Sequence, residues 1–132
     1  MYLLDTNIFL EALLEQDRTD EVKKLFSTKP LDDFYITDFS LHSIGIILFR
    51  LKQPDLYNSF VKDLVLDGLG ILTLRNSELL QLSEIADKFQ LDFDDAYQYV
   101  SAKKYDLQLI SFDQDFDKTD IQRREPIDVL VS

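Results

Sequence analysis

Aspartate is the residue through which this 132-residue chain can do chemistry. Asp5 closes the apolar run Tyr2-Leu3-Leu4. Asp113 follows a second apolar run, Leu107 to Phe112, and Asp95 lies in the first turn of the helical stretch that leads into it. Further acids flank two of these positions, in Asp92-Phe93-Asp94-Asp95 and in Asp113-Gln114-Asp115-Phe116-Asp117. Carboxylates gathered in one cleft repel each other unless a cation neutralises them, and hard oxygen ligands select Mg²⁺ or Mn²⁺. A cation held this way activates water and shields the charge of a phosphodiester. Aspartates at helix starts and strand exits also serve as caps alone, so spacing leaves both uses open. A calcium loop over Asp113, Asp115 and Asp117 is excluded. It needs Gly at its sixth position and Glu at its twelfth, where this chain has Lys118 and Arg124.

The elements that must position these acids alternate along the chain. Strands are predicted at Tyr2–Leu4, Phe34–Thr37, Ile71–Leu74, Leu107–Phe112 and Ile127–Val131 from their aliphatic, β-branched and aromatic content. Helices are predicted from Asn7, as the cap, to Gln16, over Thr19–Ser27, and from Asp38, as a cap, to Lys52. Further helices run from Pro54 to near Gly68, from Asn76 or Ser77 to Phe89, and over Asp92–Tyr105. Alternation of this kind predicts an α/β sandwich with a mainly parallel sheet of about five strands. In such sheets ligands collect beyond the carboxyl ends of the strands, where the three aspartates fall. The stretch from Phe39 to Leu51 carries more apolar residues than one helix face holds, with Leu56 and Phe60 just after it. It is either buried on several sides or part of a two-fold interface between subunits.

Composition narrows the function classes. Fourteen Lys and Arg stand against 25 Asp and Glu, a formal net charge of −11, so bulk charge cannot attract a phosphate backbone. Contact with nucleic acid would have to run through bound cations and local basic residues. Lys23-Lys24, Lys103-Lys104 and Arg123-Arg124 are the adjacent basic pairs, and Tyr97, Tyr99 and Tyr105 have rings able to stack on bases or pack inside. The absence of cysteine excludes disulfides and thiol chemistry and accords with a cytoplasmic location. No apolar run approaches membrane-spanning length, and acidic Asp5 stands where a leader peptide needs basic charge. The expectation is of a soluble, mature and complete chain forming one domain over residues 1–132.

Three motifs in order resemble the PIN-domain family. Met1-Tyr2-Leu3-Leu4-Asp5-Thr6-Asn7-Ile8-Phe9-Leu10-Glu11 resembles its opening strand running into Asp-Thr-Asn. Asp95-Ala96, followed by Val100 and Ala102, resembles its Asp-Ala helix, and Leu109-Ile110-Ser111-Phe112-Asp113-Gln114-Asp115-Phe116 its late strand. Overall the chain is most similar to the toxin component of prokaryotic VapBC-type toxin–antitoxin pairs. The resemblance implies a PIN-like three-layer sandwich and a Mg²⁺- or Mn²⁺-dependent ribonuclease. It also implies a homodimer in a prokaryotic cytoplasm, silenced by a cognate antitoxin protein. Carried over by position, it makes Asp5, Asp95 and Asp113 the catalytic, metal-binding carboxylates, with Asp115 and Asp94 as further candidates. Thr6, Asn7, Ser43 and Ser111 would stand behind them, orienting the ligands through hydrogen bonds.

The chain departs from the family's pattern at one place. Ile36-Thr37-Asp38-Phe39-Ser40-Leu41-His42-Ser43-Ile44 aligns with the segment that normally ends in Glu, and Ser43 occupies that position. Serine brings no negative charge, which predicts weakened metal binding unless Asp38 or His42 compensates. The alternative function is a non-catalytic PIN-like module that contacts RNA or a protein partner.

Overall fold

The computed structural model describes residues Met1–Val131. Four short strands form one sheet: β1 (Tyr2–Leu4), β2 (Phe34–Thr37), β3 (Gly70–Leu72) and β4 (Gln108–Ile110). Their order is β3-β2-β1-β4, and every pairing is parallel. Parallel neighbours need long crossovers, and helices supply them. α1 (Thr6–Leu13) and α2 (Thr19–Thr28) link β1 to β2, and α3 (Asp38–Arg50) and α4 (Pro54–Phe60) link β2 to β3. α4 runs on into a π-helical turn at Val61–Val65. α5 (Ser77–Phe89) and α6 (Phe93–Tyr105) then carry the chain from one edge of the sheet to the other, and α7 (Pro126–Leu130) ends it.

Period-two alternation divides the strand side chains between two cores. Leu4, Phe34, Ile36 and Ile110 face Ile8 and Phe9 of α1, Val22 and Leu25 of α2, Ile44 and Leu48 of α3, Phe60 of α4 and Val129 of α7. Leu3, Leu72 and Leu109 face the other way, packing with Ala102 of α6 and with Phe116. Helices α5 and α6 join through Leu82, Leu91, Ala96, Tyr99 and Val100 on that same side. The result is the expected three-layer α/β sandwich. Each large side chain so buried contributes about 1.5–3 kcal/mol relative to exposure.

Three expectations need correction. The sheet has four strands, because Ile127–Val131 is not a strand; Pro126 stands at the first turn of helix α7. Glu125 and Asp128 form a capping box there, with the Glu125 amide donating to Asp128 Oδ2 at 2.9 Å. Proline is preorganised for that position and lacks the N–H a strand would use. Pairing beside β4 shrinks to a single bridge, Ile110 with Arg124. Asn7 does not cap α1: Asp5 does, its Oδ1 accepting from the Thr6 amide at 2.8 Å. Likewise Thr37 rather than Asp38 caps α3, its hydroxyl accepting from the Ser40 amide at 3.0 Å. The apolar surplus of α3 divides as well. Ile44 and Leu48 are buried while Ile46, Phe49 and Leu51 are exposed, and Phe60 is buried against Phe9 rather than displayed.

Thr37 is fully buried and sets the entry of α3 into the site. Replacing it with Ala should cost about 1 kcal/mol of unfolding free energy, while Ser should retain most of the cap. Urea unfolding of T37A and T37S measures both.

Candidate functional site

Crossover topology brings several helix starts to one edge of the sheet. α1 follows β1, α3 follows β2, and α6 runs into β4, so the N-termini of all three lie at the carboxyl ends of the strands. Their positive dipole ends favour negative charge at this edge. Strand order also reverses here. β1, β2 and β3 step in one direction, whereas β4 pairs on the far side of β1, and such a switch point opens a crevice. The crevice is a cleft of about 380 Å³ lined by Asp5, Thr6, Asn7, Leu10, Ser43, Ile46, Ile47, Arg50, Asp94, Asp95 and Asp113. A larger hollow of about 570 Å³ lies near the start of β4, with Lys103, Gln108, Asp120 and Arg124 in its wall, and it gathers no carboxylate cluster.

Asp5 is buried and accepts from four donors. Oδ1 takes the Thr6 amide at 2.8 Å and Gln98 Nε2 at 2.9 Å; Oδ2 takes Ser111 Oγ at 2.6 Å and Asn7 Nδ2 at 3.4 Å. Burial raises its pKa, the bonds from Gln98, Ser111 and Thr6 pull against that rise, and repulsion from Asp113 adds to it. The donors are themselves tied into neighbouring elements. Gln98 Nε2 also reaches Ser40 Oγ at 2.8 Å, which Thr6 Oγ1 meets at 2.8 Å. Ser111 Oγ accepts from the Asp113 amide at 2.9 Å, and Asn7 Oδ1 accepts from the Phe112 amide at 3.3 Å.

Asp95, one turn into the cap of α6 formed by Asp92, is 5% exposed, and its Oδ2 is buried without a hydrogen-bond partner. Burial drives its pKa up to about 8, and repulsion from Asp113, Asp92 and Asp5 adds to the shift. A buried, unpartnered carboxylate oxygen is costly and calls for a counter-charge. Oxygens of Asp95, Asp113 and Asp115 lie within 4.8 Å of one another, so the residues present fit a small hard cation. Asp113 is half-buried and caps the 3₁₀ turn that follows it, accepting from the Asp115 amide at 2.9 Å. Asp115 is exposed, with Lys118 Nζ at 3.4 Å. Asp94 is exposed on the cleft wall, its pKa raised by partial burial and by Asp92.

The structure thus brings Asp5, Asp94, Asp95 and Asp113 to one cleft and adds Asp115 to the tightest carboxylate group, which does not include Asp5. Ser43 lines the same cleft. Neither proposed substitute for its charge does. Asp38 accepts from Tyr97 Oη at 2.6 Å and from the Phe39 amide at 2.8 Å, and His42 is exposed outside the lining. The basic pairs at 103–104 and 123–124 are spent elsewhere. Lys103 pairs with Asp120, Lys104 with Glu78, Arg123 with Asp117 and Glu125, and Arg124 with Gln108. Tyr97, Tyr99 and Tyr105 hydrogen-bond to Asp38, Asp120 and the Thr73 carbonyl. Sequence reasoning missed Gln98, Ser40 and Arg50. The signal for Gln98 was available: it stands three residues after Asp95, on the same face of α6.

Fold and cleft define an α/β protein with an acidic site at the switch point of a parallel sheet. The family model for the PIN domain matches residues 2–122, and the chain belongs to that family. Solved structures share the fold at low identity. FitAcB from Neisseria gonorrhoeae is 21% identical with a TM-score of 0.78, over 96% of this chain and 99% of that one. A toxin–antitoxin complex from Klebsiella pneumoniae is 20% identical with a TM-score of 0.72, over 96% and 98%. VapC20 of Mycobacterium tuberculosis, described as a sarcin–ricin-loop-cleaving toxin, is 17% identical with a TM-score of 0.77, over 92% and 97%. No curated protein sequence matches the chain.

Asp95 also sets an expected pH dependence. Its carboxyl holds a proton more tightly folded than unfolded, so its contribution is complete below about pH 4, the unfolded range, and is lost as pH rises through about 8. In EDTA, unfolding free energy should therefore fall between pH 5 and pH 8, by roughly 2–5 kcal/mol. Asp5 and Asp94, whose carboxyls are also raised, act in the same sense, so Asp95→Asn should reduce that fall without abolishing it. Glu125 and Asp120, whose carboxyls are held low by their cationic and hydroxyl partners, act in the opposite sense and only in acid. Urea titrations across this range measure the difference, and an unchanged slope in D95N would contradict it.

Proposed function

We propose that this chain is a divalent-metal-dependent endoribonuclease, the toxin of a VapBC-type pair acting in a prokaryotic cytoplasm. The observation that carries the reading is the buried, unpartnered Asp95 oxygen amid carboxylates at the switch-point cleft. Asp95 and Asp113 would hold Mg²⁺ or Mn²⁺, with Asp115 completing the set and Asp5 facing it from the strand end. A cation bound there supplies a water acidified toward neutral pH and charge to offset that of the phosphodiester. RNA hydrolysis would add a water oxygen to phosphorus and break the bond to the leaving ribose oxygen, which would gain the proton the water gives up. The chain's own share is positioning. Thr6, Asn7, Ser111 and Gln98 fix both oxygens of Asp5 through hydrogen bonds, and Ser111 also binds the Asp113 amide, so two acids share one support. Control by an antitoxin protein accords with the shared fold of the toxin–antitoxin complex from Klebsiella pneumoniae. Phe49 and Leu51, exposed and outside the cleft lining, would serve a homodimer contact.

A second reading, a module that binds without cutting, is favoured by Ser43, which lines the cleft and brings no charge. One series separates the two. With Mn²⁺, the wild type should cleave single-stranded RNA, and Asp95→Asn or Asp113→Asn should reduce the rate about 100-fold or more. Ser43→Glu should tighten Mn²⁺ binding by roughly tenfold and raise the rate. RNA left intact by both the wild type and S43E at saturating Mn²⁺ would favour the binding module. Mn²⁺ should also raise the wild-type melting temperature, because a ligand of the native state stabilises it by mass action. D95N should lose most of that rise.

A further inference from the structure

Among the described residues Arg50 is the only basic one that lines the cleft, which four aspartates also line. It is exposed, and among the described residues it has no ion-pair or hydrogen-bond partner. Other cations around this edge are neutralised: Arg18 by Glu21 and Glu125, Arg123 by Asp117 and Glu125, and Lys118 by Asp115. An unpaired arginine facing an acidic cleft would be expected to fold onto it unless held away. Helix α3 supplies the separation. Ser43 and Arg50 are seven residues apart, two turns on one face, which places them about 10 Å apart along the axis. Ile46 and Ile47 lie between them on the cleft wall, with Leu10 of α1 completing an apolar strip.

We propose that this face of α3 is a track for a single RNA strand, with Arg50 binding the phosphate neighbouring the one at the aspartates. The inference rests on the reading of the cleft as an RNA site. The wall has a guanidinium at one end, aspartates that would meet phosphate through a cation, and an apolar interval on α3 for ribose and base. Guanidinium matches phosphate through paired hydrogen bonds, which an ammonium cannot reproduce. Ile46 and Ile47 offer the sugar and the base a surface without sequence preference. A chain of net charge −11 has no general attraction for RNA, so one free cation at the cleft mouth decides where the strand lies.

The test is fluorescence anisotropy with a short, end-labelled single-stranded RNA, using Ca²⁺ in place of Mg²⁺ to suppress cleavage. Arg50→Ala should weaken binding roughly five- to tenfold near 0.1 M salt and make the log–log salt dependence shallower by about one. Arg50→Lys should keep the salt dependence and recover part of the affinity. Mn²⁺ affinity by electron paramagnetic resonance should be the same in wild type and R50A, which separates strand binding from damage to the metal site. Equal affinity and salt dependence in wild type and R50A would overturn the proposal alone. So would a changed sedimentation mass in R50A with RNA binding unaltered, which would assign Arg50 to a protein contact. Failure of the wild type to bind RNA at all would overturn the RNA reading and this inference with it.

Discussion

The buried carboxylate of Asp5 is the point on which the rest of the structure converges. It follows the inner strand β1, caps the first helix and accepts from α6 and from the end of β4. Gln98 extends that reach to Ser40 in α3 and so to Thr6 again. A carboxylate removed from water with fewer donors would protonate or open its surroundings. Four donors from three segments oppose the rise in pKa that burial imposes and, in doing so, tie α1, α6 and the end of β4 together, with α3 joined through Ser40. Folding energy and site geometry are thus held by the same bonds.

Asp95 presents the complementary case. It sits at a helix start where dipole and cap favour an acid, yet its buried Oδ2 has no hydrogen-bond partner. Asp5 is satisfied and Asp95 is not, though both line one cleft. The protein therefore maintains one neutral-prone acid beside one that is fully bonded, a division that environment imposes on identical side chains.

Much of this was legible in the sequence, and the reasons are specific. Tyr2–Leu4 and Leu107–Phe112, of which Gln108–Ile110 forms β4, read as strands because residues on both faces are buried, and the acids after them declared themselves by position. Ile127–Val131 misled because alternating apolar residues in so short a run fit either period, and Pro126 was the overlooked arbiter. The cap at Asp5 was displaced onto Asn7 because one residue type can serve a helix and a site at once. Asn7 bonds instead across to Ser111 and Phe112, more than a hundred residues on. No local pattern encodes such a partner. Gln98 and Arg50 went unremarked for the same reason, since their meaning lies in what the crossovers bring opposite them.

The strand order also bears on synthesis. β1 leaves the ribosome before β2, β3 and β4 and lies inside the sheet, with β2 on one side and β4 on the other. Its second partner begins at Gln108, and Ser111 and Asp113 come later still. At roughly 5–20 residues per second, β1 stays half-paired for as long as synthesis takes to pass from Leu4 to Gln108. A chain halted before Ser111 possesses α1, α3 and α6 but lacks both the donor that fixes Asp5 from the end of β4 and the Asp113 side of the cleft. Whatever the finished cleft does, the nascent polypeptide is without it until Ser111 and Asp113 have emerged.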